Sequence, residues 1–209
     1  MKLPSRRNHL SAFALFFEEI CELPFDQFCK KLGAIKGIPI ASLTLRNLYQ
    51  LNAKLTGHGH GVYLFYRKNT VRYIGKNSSR TYLERIPAHF DVRIKSWFNS
   101  YIRAAIRDEN LQRPYDSVAS EKRRTFARKA EQIFERDIIK FVVFPAKNEK
   151  KSDEISISAL ENLLRRRFQE ATNKLSKRKT DADFTPTVKN MVKTEIRRLA
   201  KQRRKKGKR

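Results

Sequence analysis

Gly61-Val62-Tyr63-Leu64-Phe65-Tyr66 and Thr70-Val71-Arg72-Tyr73-Ile74, joined by Arg67-Lys68-Asn69, decide how this chain folds. Both runs are short and rich in β-branched and aromatic residues, and a polar triplet separates them, which is how a β-hairpin is written. A three-residue loop with Asn69 in the left-handed conformation pairs Tyr66 with Thr70 and sets Tyr63 directly opposite Tyr73, so both phenols share a face. A two-residue Lys68-Asn69 loop shifts the pairing by one and sends the rings to opposite faces. We expect the shared face, with the three-residue loop.

Working outward, Gly61-Val62-Tyr63 is followed ten residues later by Tyr73-Ile74-Gly75. Arg85 and His89 come next as an Arg-x-x-x-His pair, then Glu161 on a predicted helix, then Asn173 twelve residues after it. This ordered set resembles the GIY-YIG nuclease family over roughly residues 58–173, with Val62 standing where the family name has isoleucine. The resemblance implies an α/β (α+β) fold, a small three-stranded antiparallel sheet flanked by helices. The third strand is Ile138–Phe144, an apolar run interrupted only by Lys140.

Before the hairpin, residues 9–21 and Phe25 to Leu32 read as short core-facing helices, and leucines from Leu43 to Leu55 suggest another. After it, Asn77-Ser78-Ser79 supplies N-cap residues for a helix carrying Arg80 and Arg85. Pro87 between Arg85 and His89 is expected to kink or restart that helix. Amphipathic helices follow over 92–106 and 117–136, and after a polar loop over 145–153 a helix opens at Ser158. Three segments result: a helical N-terminal extension (1–56), a nuclease-like domain (57–174) and a basic tail (175–209).

The charge points to a polyanion. Among 209 residues, 47 Lys and Arg face 21 Asp and Glu, a formal net charge of +26, while 40% of residues are apolar. Residues 174–209 hold fifteen basic and three acidic side chains, a run that grips nucleic acid without reading bases. Cys21 and Cys29 form no disulfide framework or zinc pattern. The apolar run at 12–17 is too short to span a bilayer and lacks a cleavage site. The expectation is a reducing, cytoplasmic setting with no membrane association; the tail also matches a nuclear-localisation patch. His9 receives no role, and His58 and His60 lack the further ligands that a metal site requires.

Hydrolysis of a phosphodiester needs a base for water, charge stabilisation at phosphorus and help for the leaving oxygen. The resemblance implies that a tyrosine is the base, without settling which. We assign Tyr63, with Tyr73 as its orienting or phosphate-binding neighbour. A phenol, with an ordinary pKa near ~10, serves only if cations such as Lys76 or Arg85 stabilise the phenolate. Arg85, with Arg80 as its rival, suits the non-bridging oxygens, and Lys76 and Arg80 would bind substrate. His89 would relay a proton or position phosphate, and Asn173 would hold Glu161 or the backbone. Glu161 is the one carboxylate of the set, a candidate ligand for Mg2+ (or Mn2+). Ser158-x-x-Glu161 also matches a capping box, and Asn173 a helix C-cap, which are structural alternatives.

The leading expectation is a Mg2+-dependent DNA endonuclease, with RNA an open substrate. The alternative is a nucleic-acid-binding protein on the same fold with a weak or lost catalytic site. A basic ribosome-associated or RNA-packaging protein is a third reading, which leaves the ordered hairpin motif unexplained.

Overall fold

The hairpin forms with a tighter turn than the sequence suggested. The computed structural model describes residues 10–51, 60–78, 80–91, 101, 128, 131–145, 150–172 and 186–206. Strands β3 (His60–Arg67) and β4 (Thr70–Asn77) are joined by Lys68-Asn69 alone, with φ of 47° and 62°. Two consecutive positive φ values make the mirror-image turn whose twist matches paired strands. Arg67 therefore pairs with Thr70 and Tyr66 with Val71, correcting the expected register. A bulge then adds Arg72 to β4, so that Phe65 pairs with Tyr73 and Tyr63 with Gly75. The two-residue turn alone would have parted the tyrosine rings, and the extra residue returns them to one face.

The sheet is larger than the three-stranded antiparallel one expected. It has five strands in mixed orientation, the main path running β1 (Ala14–Phe16), β5 (Ile138–Phe144), β3, β4. The antiparallel β4-β3-β5 portion uses the three predicted strands, while β1 adds in parallel to β5 and β2 (Ile38–Pro39) antiparallel to it. Residues 1–56 are thus not simply a helical extension, since they give this sheet two strands. A three-residue strand buried in a sheet has no periodicity to betray it, and apolar residues around it mimic a helix.

Alternate residues of β3 feed two cores. Tyr63 and Phe65 point to one face with Phe13, Phe141, Tyr82 and Ile86; Val62, Leu64 and Tyr66 point to the other with Leu160, Leu164 and Phe28. Helix α3 (Leu45–Gln50) and helix α4 (Tyr82–Ala88) supply Leu48, Tyr82 and Ile86 to the first face. Helix α2 (Phe25–Ala34), helix α5 (Lys150–Thr172) and helix α6 (Val188–Lys206) cover the second; α1 (Phe17–Ile20) is a single turn after β1. Residues 131–136 are also helical. Being buried on both sides makes β3 read as a continuous apolar run.

Two buried ionic groups fix neighbouring elements. Asp137 accepts from Arg67 Nε at 3.0 Å and Nη2 at 3.3 Å, and from the Tyr101 hydroxyl, tying the end of β3 to the start of β5. Lys140 of β5 donates to the Leu32 and Gly33 carbonyls at the end of α2, at 3.1 and 2.9 Å, with Nζ 4.4 Å from the centre of the Tyr66 ring.

The tail holds an ordered helix. Val192 of α6 enters the second core, and its buried Glu195 accepts from Arg166 of α5 at 2.6 Å and from Arg198 at 2.7 Å. The predicted helix over 92–106 lies outside the described residues except Tyr101, as do Asn173, His9 and His58. Among the described residues no helix is long and apolar enough to cross a membrane.

Candidate active site

Among the described residues strand β4 is the outermost strand of the sheet, and there the two covering layers meet. Helix α4 approaches from the first face and α5 from the second. Between them lies an open cleft of about 270 Å³ lined by Tyr73, Gly75, Lys76, Asn77, Ser78, Arg80, Arg85, Glu161 and Arg165. Five of the eight sequence-derived residues line it: Tyr73, Lys76, Arg80, Arg85 and Glu161. Tyr63 and His89 lie beneath it, and Asn173 falls outside the described residues.

Helix α4 begins later than expected. Strand β4 continues through Asn77, and Thr81 is the N-cap, in a reciprocal capping box with Glu84. Pro87 does not part Arg85 from His89, because it sits in the last turn and His89 is the helical C-cap, φ −65° and ψ −21°. One turn apart, both reach the same atom. Arg85 Nε donates to the Tyr63 hydroxyl at 3.2 Å, and His89 Nε2 lies 2.5 Å from it.

That trio has its own electrostatics. Burial, then Arg85, pushes His89 down to about 3, so its imidazole is neutral at pH 7. A neutral ring that accepts the Tyr63 proton at Nε2 carries its own on Nδ1, which is buried with no hydrogen-bond partner. Burial, then the neighbouring Tyr73, raises Tyr63 far above the ordinary phenol value. The assignment of Tyr63 as base therefore meets an obstacle, since its residue is 0% exposed and its proton is firmly held. As built, Tyr63 anchors Arg85.

Gly75 makes this possible. A Cβ there would stand 2.4 Å from both Cζ and the hydroxyl of Tyr63, so the phenol occupies the space that any side chain would take. Gly61 is equally confined: its φ is +153° and a Cβ would meet the Val142 carbonyl oxygen at 2.0 Å. The two motif glycines are packing requirements of the strands that carry the tyrosines.

On the other side of β4, Glu161 is not in a capping box. Helix α5 starts at Lys150, well before Ser158, so the Ser158 amide lies inside the helix. Glu161 Oε1 instead accepts from Arg165 Nη2, one turn on, at 2.9 Å, and that nitrogen also donates to the Ile74 carbonyl of β4 at 2.9 Å. Lys76 Nζ donates to Ser158 Oγ at 2.8 Å and stands 3.8 Å from Glu161 Oε2. Sequence reasoning missed Arg165, although Glu161-x-x-x-Arg165 has the spacing of a helical ion pair.

No protein-family model matches the chain, and no curated protein or solved structure matches it significantly. The chemistry must be judged from the side chains themselves.

Among the described residues Glu161 is the cleft's one carboxylate, and no group of three or more His, Cys, Asp or Glu converges. Such a donor set does not form a metal cage. It fits Mg2+ in the other common way, through one carboxylate with the remaining oxygens from phosphate and water.

Proposed function

We propose that the chain is a divalent-metal-dependent endonuclease that hydrolyses phosphodiester bonds in DNA, with a site of GIY-YIG type. The observation that carries this reading is the convergence, in one cleft at a sheet edge, of a tyrosine, three candidate phosphate-binding cations and a carboxylate. They come from β4, the turn after it, α4 and α5. The net charge of +26 suits a polyanionic substrate.

In this reading Arg85, held through Nε by Tyr63, stabilises the charge that develops on the phosphoryl oxygens. Lys76 and Arg80 grip the phosphates. Tyr73, whose phenol borders the cleft, faces the attacking water and is the better base, because Lys76 and Arg85 border the same cleft. Bound through Glu161, phosphate and water, Mg2+ or Mn2+ would polarise the phosphoryl group and acidify water. The basic helix α6 extends the surface available to the backbone of the nucleic acid.

The reading of binding without cleavage draws on the buried Tyr63 and the engaged Glu161. Supercoiled plasmid with Mg2+ separates the two. Nicking or linearisation that disappears in EDTA, and in Glu161→Ala and Arg85→Leu, is expected. Intact plasmid that is only retarded in a gel would favour the binding protein.

A further inference from the structure

The carboxylate that would hold the metal is already engaged by cations. Arg165 takes one Glu161 oxygen at 2.9 Å, and Lys76 stands 3.8 Å from the other. Around the same cleft lie Arg80 and Arg85, so among the described residues four cationic side chains share the cleft with one carboxylate. A divalent cation entering this space meets repulsion from all four, and the attraction of a carboxylate whose charge is largely answered.

A phosphodiester meets the opposite field. Its non-bridging oxygens attract the cations that hold Glu161, and a guanidinium matches two such oxygens in its planar fork. Arg165 has reason to move, since its Nε is buried with no hydrogen-bond partner in the present arrangement. Movement of Arg165 onto phosphate frees Glu161 Oε1, and the phosphate adds the hard oxygens that one carboxylate cannot supply.

We propose that the cleft loads in a fixed order, phosphodiester first and divalent cation second, and that Arg165 is the positioning residue that enforces it by holding Glu161 until phosphate arrives. The inference rests on the reading that this cleft receives a phosphodiester. Its consequence is that free metal ions do not prime the empty site.

The test measures Mn2+ binding rather than cleavage. Isothermal titration of Mn2+ into the protein, a phosphorothioate duplex, and their complex is compared for wild type, Arg165→Gln and Glu161→Gln. Glutamine at 165 removes the charge, but its amide ends where the arginine has Nε, short of the Ile74 carbonyl that Nη2 reaches, so thermal denaturation is run beside the titration to show that the variant stays folded. Wild type alone should take up no Mn2+ at sub-millimolar concentration, whereas the complex should show a site beyond those of the duplex, absent in Glu161→Gln. Arg165→Gln should bind Mn2+ without the duplex, at least about tenfold more tightly than wild type. Mn2+ uptake through Glu161 in the free wild type, or no gain in Arg165→Gln, would overturn the order.

Fluorescence anisotropy of the labelled duplex in EDTA separates the two failures. Duplex binding weakened by Arg80→Ala, together with metal binding indifferent to the duplex, refutes the order and leaves the nuclease reading standing. Duplex binding insensitive to Arg80→Ala refutes the cleft reading and the order with it.

Discussion

Tyr63 and Tyr73 lie on one face of the hairpin with ring centroids 6.4 Å apart, although neither is the other's strand partner. Tyr63 is paired with Gly75 and Tyr73 with Phe65; of this two-residue offset one comes from the two-residue turn and the other from the extra residue, Arg72, between Val71 and Tyr73.

Deleting Arg72 should therefore leave Tyr73 on its face. With Arg72 gone, Tyr73 follows Val71 directly and still pairs with Phe65, in a ladder without the bulge. Plasmid nicking should be largely retained both by the deletion and by Arg72→Ala. Loss of nicking in the deletion alone would mean that the local bend of the bulge, and not only the face on which Tyr73 stands, sets the site.

Gly75→Ala tests the space beneath the cleft. A methyl group 2.4 Å from the Tyr63 ring forces a buried side chain off its seat, and overpacking of this kind costs about 1–3 kcal/mol. Thermal denaturation should show a melting temperature lower by several degrees. Arg85 should lose its anchor as well, so activity should fall more than stability alone explains. An unchanged melting curve would count against the packing described for Tyr63.

Acid should destabilise the protein through His89. Its folded value is pushed down to about 3 from an ordinary 6.5, so between those limits the unfolded chain binds the extra proton. Stability from this residue is complete above about pH 6.5 and falls as the pH drops toward 3, by at most about 1.4 kcal/mol per unit. Urea midpoints from pH 4.5 to 7.5 should rise with pH in wild type, and less steeply in His89→Gln. Identical slopes would show that His89 is not buried as a neutral ring.

How much of this was legible varied with the physical signal. Ile138–Phe144 could be read to the residue because an apolar run with defined ends has one cheap interpretation in this length range. The hairpin was legible, but its register was not, since turn type depends on φ at Lys68 and Asn69, and lysine gives no warning of a positive value. β1 and β2 escaped because three and two residues leave no pattern, and their partner strand lies far downstream in sequence. At the site, spacing brought out Tyr73, Arg85 and Glu161 together. It could not say that Tyr63 would be sealed under Gly75, because burial is a property of the assembled sheet and not of the tripeptide.

Lys140 has a bearing on where the chain could be divided. Its ammonium group is buried, burial lowers its affinity for the proton, and its two carbonyl partners belong to α2, far upstream in the chain. A fragment beginning at residue 57 would keep every motif residue and lose both of those acceptors, along with β1 and β2. It would leave an ammonium facing an open hydrophobic surface and a raw sheet edge ready to recruit another chain. The stretch that looks dispensable is thus the counterpart the motif-bearing half requires, and trimming toward a minimal domain should yield aggregate.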